Sequence, residues 1–256
     1  MVIDPSPYLS APAPRVFAHR GLATHFPENT LGAFRAAVDA GCSYVETDVH
    51  GTSDGVAVIA HDPDLTRVAG RPERIRDLSL AELGRIDLGR GQGFSSLADA
   101  LAAFPELRFN IDIKDAAAVS PAADAILHAG AVERVLVTSF SESRRAATIA
   151  RLPGVASSAS AGRFAGALLA GRIGATPLSH WFLRDLVAVQ VPERALGIRV
   201  ASARMLRHLH SAGVEVHIWT VNDPVRIREL FELGVDGIVT DRADLALTVV
   251  AGMADA

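Results

Sequence analysis

Short apolar runs alternate with helix-like segments along most of the chain, and this alternation is the feature that most restricts its fold. Such a pattern is typical of a parallel sheet covered by helices. The strand candidates are residues 15–19, 44–49, 108–114, 134–140, 155–160, 186–191, 214–221 and 237–241. Their number predicts a closed barrel of the α/β class. An open doubly wound sheet is the alternative, because Ser, Gly and Pro interrupt the region of the fifth and sixth strands.

Sequence signals mark the ends of two helices that connect these strands. Asn29 or Thr30 is expected to cap the first helix, and Gly41 follows its end. The last predicted helix has Asp223 as its N-cap and Pro224 at its first position. Apolar side chains at helical spacing give each helix one face that packs on the sheet.

Residues 52–93 do not fit the alternation of strand and helix. Residues 53–55 are a turn signal, and residues 56–59 form a short apolar strand that leads into His61. Residues 77–83 have the pattern of a short capped helix. We therefore expect a small inserted hairpin and helical segment after the second strand.

A second irregular stretch covers residues 174–181. Trp181, and Phe182 just after it, are expected either to line a pocket or to pack in the core. Large aromatic side chains serve both purposes, so the sequence leaves both interpretations open.

The composition is that of a globular, enzyme-sized protein. Of the 256 residues, 49% are hydrophobic and 21% are charged, so we expect one domain over residues 1–256. The formal net charge of -4 gives no reason to expect nucleic acid as a partner. The single cysteine, Cys42, excludes an internal disulfide and is expected to be a small buried residue.

The sequence also carries expectations about location. No apolar stretch approaches the ~20 residues needed to cross a bilayer, so stable membrane insertion is not expected. Residues 1–14 lack the basic start and apolar core of a secretory signal, which makes the cytoplasm the expected compartment. The sequence leaves the oligomeric state open.

Charged and polar clusters follow several of the apolar runs. Glu46 and Asp48 share one face of their strand, and so do Asp112 and Lys114, because residues two apart in a strand point the same way. If these strands are neighbours, the carboxylates converge with the histidines at positions 19 and 61. Carboxylates, imidazoles and fixed cations together suit phosphoester cleavage, in which a hard cation and basic side chains offset the phosphate charge.

The motifs that contain these residues resemble the glycerophosphodiester phosphodiesterase family. They are Ala18-His19-Arg20-Gly21, Pro27-Glu28-Asn29-Thr30, Glu46-Thr47-Asp48-Val49, Thr52-Ser53-Asp54-Gly55, His61-Asp62, Asn110-Ile111-Asp112-Ile113-Lys114, Ser139-Phe140, Trp219-Thr220-Val221-Asn222 and Asp236-Gly237-Ile238-Val239-Thr240-Asp241. One motif alone is weak evidence, whereas the whole series in order is specific. The resemblance extends from about residue 15 to about residue 245. It implies a (β/α)8 TIM barrel with the active site at the carboxyl ends of the strands.

The resemblance also implies roles for single residues. The family's functional positions fall on the metal ligands Glu46, Asp48 and Asp112, the catalytic pair His19 and His61, and the phosphate-binding Arg20 and Lys114. Glu28 and Trp219 are further candidates for contact with the substrate, and each has a structural alternative. An all-oxygen ligand set implies Mg²⁺ or Ca²⁺ rather than zinc.

Asp112 departs from the family pattern, which usually has glutamate at this position. The shorter side chain withdraws the carboxylate by roughly one carbon–carbon bond, ~1.5 Å. We therefore expect the metal to shift, to take a bridging water or to bind less tightly.

The resemblance implies metal-dependent hydrolysis of a glycerophosphodiester to sn-glycerol 3-phosphate and an alcohol. In this scheme the neighbouring glycerol hydroxyl attacks phosphorus, His19 accepts its proton, and His61 protonates the departing alcohol. Direct attack by water, the identity of the first base and the nature of the alcohol stay open. The alternatives are a related phospholipase that acts on intact lipid or a phosphoinositide, and a non-catalytic barrel that binds a phosphorylated ligand.

Overall fold

The computed structural model describes residues 6–254, and its main feature is a barrel of eight parallel strands. These strands are β1 (Arg15–His19), β2 (Tyr44–Gly51), β4 (Arg108–Ile113), β5 (Val135–Thr138), β6 (Ala156–Ser157), β7 (Ala188–Val191), β10 (Glu215–Ile218) and β11 (Gly237–Thr240). Each overlaps one of the predicted strands, so the predicted barrel is confirmed. Residues 1–5, which belong to the stretch that was searched for a secretory signal, lie outside the described residues.

The order of the strands shows how the barrel closes. Hydrogen-bonded neighbours run β6-β5-β4-β2-β1-β11-β10-β7. The two ends of this series meet where Ser158 bridges Ala188 in parallel. The Ala159 amide donates to the Ala188 carbonyl at 3.1 Å, and the Val187 amide donates to the Ser157 carbonyl at 3.0 Å. The open doubly wound sheet is therefore excluded.

Helices surround the barrel and connect its strands. They are α1 (Leu31–Asp39), α2 (Thr66–Ala69), α3 (Leu80–Leu83), α4 (Leu97–Ala103), α5 (Val119–His128), α6 (Glu142–Ile149), α7 (Ala161–Arg172), α8 (Thr176–Leu183), α9 (Ala203–His210), α10 (Pro224–Glu232) and α11 (Ala243–Ala254). The prediction that the helix after Asp223 is the last one is wrong, because α11 follows β11. The apolar face of α11 includes the buried Ala243, Ala246 and Val249.

The structure decides between the two candidate caps of α1 and confirms the predicted cap of α10. Thr30 caps α1, and its side chain accepts a hydrogen bond from the Ala33 amide. Asn29 is a buried residue with φ of 57°, and its side chain points to the barrel instead. Asp223 caps α10 as predicted, accepting from the amides of Val225 and Arg226.

The insertion after β2 consists of one hairpin strand and short helices. Strand β3 (Ala57–Ile59) pairs with β2 in antiparallel register, as the predicted hairpin requires. The predicted short helix is α3, whose Ser79 and Glu82 form a reciprocal capping box. The insertion has its own apolar cluster, which consists of Val58, Ala60, Leu65, Ile75, Leu83, Ile86 and Phe94. A further hairpin, β8 (Arg194–Ala195) with β9 (Ile198–Arg199), follows β7.

Two further expectations concern burial and the membrane. Cys42 is buried as predicted, and burial raises the pKa of its thiol to about 12. Within residues 6–254, each helix is too short or too polar to cross a bilayer.

Three ionisable side chains of the barrel, those of Arg15, Glu215 and His217, form one hydrogen-bonded group. The Arg15 guanidinium donates twice to the Glu215 carboxylate, at 2.8 Å for each bond. The buried His217 ring lies 2.9 Å from the same carboxylate. Burial opposes ionisation of Glu215, but hydrogen bonds from Arg15 and His217 outweigh it and lower the pKa of the carboxyl to about 2.

Replacing Glu215 by glutamine is expected to lower the free energy of unfolding at pH 7 by about 3 kcal/mol, since each pKa unit corresponds to about 1.4 kcal/mol. Because the pKa is depressed from 4.5 to about 2, this stabilisation is present above pH 4.5 and is lost as the pH falls toward 2. Urea unfolding at pH 7 and pH 3 measures the effect, with the exposed Glu232→Gln as the control. Equal midpoints for Glu215→Gln and the parent protein at pH 7 would contradict this assignment.

Candidate active site

A cavity of about 570 Å³ opens at the carboxyl ends of the barrel strands. It is lined by nearly all of the predicted site residues. Those residues are His19, Arg20, Glu46, Asp48, His61, Asp112, Lys114 and Trp219. Glu28 does not line this cavity, and it contacts the site through Arg20, whose Nη1 donates to Glu28 Oε1 at 2.9 Å. The structure thus brings together residues from β1, β2, β4, the insertion and the loop after β10.

The turn after β1 positions the first two of these residues. Arg20 has a φ of 57° and Gly21 a φ of 83°, so the chain turns sharply after His19. A Cβ atom at Gly21 would lie 2.7 Å from the backbone of Ala33, which explains the glycine. The Arg20 amide donates to the Glu46 carbonyl at 2.9 Å, which fastens this turn to the end of β2.

Three acidic side chains converge because β2 and β4 are paired. Their register places Asp48 opposite Asp112 and Glu46 opposite Asn110. The Lys114 ammonium lies 2.8 Å from Asp48 Oδ1 and 2.7 Å from Asp112 Oδ2. Each of the three carboxylates is buried. The site therefore concentrates negative charge that Lys114 offsets only in part.

Glu46 shows the effect of this concentration most clearly. Burial, and then the negative charge of Asp48, raises the pKa of the Glu46 carboxyl to about 8. Among the described residues, the nearest basic side chain is that of His19, whose Nε2 lies 3.9 Å from Glu46 Oε2. The carboxyl thus lacks a close positive charge.

A buried amide fixes the neighbouring carboxylate. Asn29 Nδ2 donates to Asp48 Oδ2 at 3.0 Å, and Asn29 Oδ1 accepts from the Thr47 hydroxyl at 2.8 Å. Asn29 thereby orients Asp48 from below the site. Sequence reasoning treated Asn29 as a possible helix cap and missed this role.

His19 is held by a carboxylate from the last strand of the barrel. Its Nδ1 lies 2.7 Å from Asp241 Oδ1. Asp241 is itself fixed by Asn222 Nδ2, which donates to Asp241 Oδ2 at 2.8 Å. Burial disfavours the charged imidazole, but the Asp241 hydrogen bond and the charge of Glu46 outweigh it and raise the pKa of His19. The ring is thus oriented, and Nε2 is the nitrogen left for chemistry.

His61 has a matching arrangement in the insertion. Its Nδ1 lies 2.8 Å from Asp62 Oδ1. The Arg67 side chain from α2 contacts both Asp62 and Glu28. His61 therefore also has Nδ1 occupied by a carboxylate, which again leaves Nε2 for proton transfer.

The opposite wall of the cavity is apolar. It consists of Phe140, Phe164, Val191, Leu196 and Trp219, among others. Phe140 and Trp219 pack edge to face, with ring centroids 6.1 Å apart. Neither Trp181 nor Phe182 lines this cavity, so the pocket interpretation of that pair is not supported. These two rings pack against each other instead, with centroids 5.0 Å apart.

The residues present fit a hard divalent cation in their chemistry. Glu46, Asp48 and Asp112 supply only oxygen donors, and Asp112 Oδ1 is buried without a hydrogen-bond partner among the residues that the structure describes. Among residues 6–254 no three metal-ligating side chains already form a cluster of coordinating geometry. Lys114 instead holds two of the carboxylates. The donor set and its uncompensated charge thus agree with a cation, while a preformed cage is absent from the described residues.

Comparison with known proteins places this site in a family. A sequence model described as "Glycerophosphoryl diester phosphodiesterase family" matches residues 19–245, which is most of the chain. The chain belongs to this family. The predicted family and enzyme class are therefore confirmed.

Individual relatives of this family member agree with that assignment. "Probable glycerophosphodiester phosphodiesterase 2" of Mycobacterium tuberculosis is 41% identical over 235 residues, covering 91% of this chain and 89% of that protein. "Lysophospholipase D GDPD1" of Homo sapiens is 25% identical over 264 residues, covering 88% of this chain and 82% of that protein.

Solved structures share the fold. A glycerophosphodiester phosphodiesterase from Thermotoga maritima is 27% identical with a TM-score of 0.72, covering 91% of this chain and 97% of that chain. An Oleispira antarctica phosphodiesterase, solved with the product sn-glycerol-3-phosphate, is 21% identical with a TM-score of 0.75, covering 93% and 96%.

Two residues of this family member escaped the sequence reasoning: Asp241, which holds His19, and Arg67, which contacts the Asp62 that holds His61. His19 is the last residue of β1, and Asp241 directly follows β11. These two strands are paired, with Ala18 opposite Thr240, so His19 and Asp241 lie at neighbouring strand ends. The strand-end argument that found the other carboxylates was thus available for Asp241. Arg67 had no comparable signal, because it lies in a short helix of the irregular insertion.

Proposed function

We propose that the protein hydrolyses glycerophosphodiesters to sn-glycerol 3-phosphate and an alcohol, with His19 and His61 transferring protons. One observation carries the proposal: both histidines line one cavity, and each has Nδ1 against a carboxylate. Simple binding of a phosphorylated ligand needs no such pair, so the non-catalytic barrel is the weaker reading. The names of the M. tuberculosis and T. maritima relatives support the same activity, as does the product held by the O. antarctica phosphodiesterase.

The two rings divide the proton transfers. With Nδ1–H of His19 donating to Asp241, the Nε2 lone pair accepts the proton of the substrate's neighbouring glycerol hydroxyl. That oxygen forms a bond to phosphorus, the bond to the alcohol oxygen breaks, and His61 protonates the departing alcohol. Water then opens the cyclic phosphate with the histidines in exchanged roles. Arg20 and Lys114 hold the phosphate oxygens.

Glu46, Asp48 and Asp112 are the residues that would hold a divalent cation, Mg²⁺ or Ca²⁺. When bound, the cation supplies positive charge for the non-bridging oxygens of the phosphate in the transition state. Two other residues complete the site. Asn29 keeps Asp48 in place, and Trp219 offers an apolar face to the glycerol carbons.

The activity is tested by following phosphodiester and monoester signals in ³¹P NMR. Glycerophosphocholine, glycerophosphoethanolamine and glycerophosphoinositol are supplied with Mg²⁺ or Ca²⁺. We expect the sn-glycerol 3-phosphate signal to grow with at least one of them. A folded protein that converts none of these substrates with either cation would overturn the proposal.

A second candidate is hydrolysis of a phosphodiester that carries an acyl chain. The apolar wall favours it, since Phe140 is 60% exposed and Leu196 is 65% exposed at this cavity. The human relative is named a lysophospholipase D, which supports the same idea. Lysophosphatidylcholine in the same assay distinguishes the two candidates. Faster conversion of the lysolipid than of glycerophosphocholine would make the second the better description.

Replacing Asp241 by asparagine is expected to lower kcat by at least about 10-fold and by up to about 10⁴-fold, the loss that follows when the carboxylate orienting a catalytic histidine becomes an amide. The carboxylate no longer fixes the Nδ1 proton of His19, while the size of the side chain is kept. Steady-state kinetics check this, with Asp185→Asn as the matched control because Asp185 is 87% exposed. A kcat for Asp241→Asn within twofold of the control would contradict the role.

A further inference from the structure

Arg67 joins two halves of the site without lining the cavity itself. Its Nε donates to Asp62 Oδ2, and its Nη2 donates to Glu28 Oε1, each at 2.5 Å. Asp62 holds His61 through its other oxygen, Oδ1. Glu28 Oε1 also accepts from Arg20 Nη1. One guanidinium therefore connects the partner of a catalytic histidine with the partner of a phosphate-binding arginine.

We propose that Arg67 is a positioning residue that sets the distance between His61 and Arg20, so that the insertion controls the alignment of proton transfer with the bound phosphate. The inference rests on the proposed hydrolysis of a phosphodiester. It assigns the insertion a role in the reaction beyond supplying His61.

The local structure keeps Arg67 in place. It lies on α2, next to Leu65, which is fully buried in the apolar cluster of the insertion. The Leu65 amide donates to the Glu73 carbonyl at 3.0 Å, and the Thr66 amide donates to Asp64 Oδ1 at 3.0 Å. The backbone that leads into Arg67 is thus fixed.

Electrostatics show that both acidic partners depend on this contact. Burial opposes ionisation of Glu28, but hydrogen bonds and charge from Arg67 and Arg20 lower the pKa of its carboxyl. Burial also opposes ionisation of Asp62, but hydrogen bonds from His61 and Arg67 outweigh this effect and lower the pKa of its carboxyl. An exposed ion pair contributes little by itself, whereas a bridge between two catalytic partners acts through geometry.

The chemistry of the side chain provides a first test. A guanidinium donates in two directions at fixed angles, whereas the lysine ammonium is a point charge on a flexible stem. We expect Arg67→Ala to lower kcat/KM by about 10- to 100-fold, and Arg67→Lys to recover less than half of that loss on a logarithmic scale. Arg71→Ala is the matched control, because Arg71 lies in the same insertion and pairs only with Glu73 in the described structure. It should stay within twofold of the parent.

A double-mutant cycle separates positioning from a general loss of structure. In an Asp62→Asn background, Arg67→Ala should cost less than a third of what it costs in the parent, since the route to His61 is already broken. The same reduction is expected in a Glu28→Gln background. Additive effects in both cycles, or an Arg67→Ala enzyme within twofold of Arg71→Ala, would overturn the proposal.

A spectroscopic readout keeps this inference separate from the proposed function. In ¹H–¹⁵N spectra of the imidazoles, Arg67→Ala should shift or broaden the Nδ1 signal of His61 and leave that of His19 unchanged. An inactive parent enzyme that shows this change would refute the hydrolytic activity and retain the positioning role. An active parent whose His61 signal does not respond would refute the positioning role alone.

Discussion

Replacing His19 by alanine is expected to lower turnover of the glycerophosphodiester by about 10³- to 10⁴-fold, toward the upper end of what one general acid–base group contributes. The ring of His19 lines the cavity, and its Nδ1 is fixed by Asp241. Alanine removes the only group on β1 that can accept the proton at this position. We expect His61→Ala to have a similar effect, and the double variant to lose little more, because the two rings act as one unit.

Structure should be retained in the His19→Ala variant. His19 is the last residue of β1, and the packing of this strand depends on the buried Phe17. Circular dichroism and the melting temperature therefore serve as folding controls. His128→Ala is the matched control, since His128 is an exposed residue of α5 that lies outside the cavity. Turnover by His19→Ala within tenfold of His128→Ala would contradict general acid–base catalysis by this ring.

Chelation is expected to abolish turnover, and addition of Mg²⁺ or Ca²⁺ to restore it. The site buries Glu46, Asp48 and Asp112, while Lys114 contacts Asp48 and Asp112 and Arg20 Nε lies 3.5 Å from Asp48 Oδ2. A divalent cation would offset the negative charges of these buried carboxylates, so it should also stabilise the fold. At a cation concentration about 100 times the Kd the gain is ~2.7 kcal/mol, which raises the Tm of a protein of this size by roughly 5 to 10 °C.

Replacing Glu46 by glutamine also tests the metal site, because the change should raise the melting temperature without metal and weaken the binding of the cation. Without added metal the variant should melt at a higher temperature than the parent, because the free-energy cost of burying this carboxyl beside Asp48 is gone. With metal it should gain less stability and need about 10- to 100-fold more cation for half-maximal turnover. Scanning calorimetry and cation titrations measure both effects, with the exposed Glu106→Gln as control. A parent enzyme indifferent to both EDTA and added cations would refute the metal site.

Local sequence patterns were enough for the strands of the barrel. Each strand contains apolar residues, and the burial of such residues on both faces is what a parallel sheet requires. The predicted ends were less accurate, as at residues 134–140, where the strand is Val135–Thr138. Ser139 and Phe140 lie outside that strand and line the cavity, so the apolar pattern continues past the last ladder hydrogen bond.

The helix cap shows where local patterns stop being sufficient. Asn29 and Thr30 have similar capping ability, so the sequence could not choose between them. The choice follows from Asp48, which lies above Asn29 once β2 is in place and accepts its side-chain hydrogen bond. Thr30 is then the residue left to cap α1.

The sequence by itself determined the barrel, its insertion and the side chains that converge at its carboxyl ends, because strand periodicity and strand ends are local properties of the chain. Only the tertiary structure decided which groups hold those side chains. Asp241 reaches His19 across 222 positions, and Arg67 reaches Glu28 across 39. Contacts of this kind form when the barrel closes and the insertion packs on it, and no local pattern encodes that geometry.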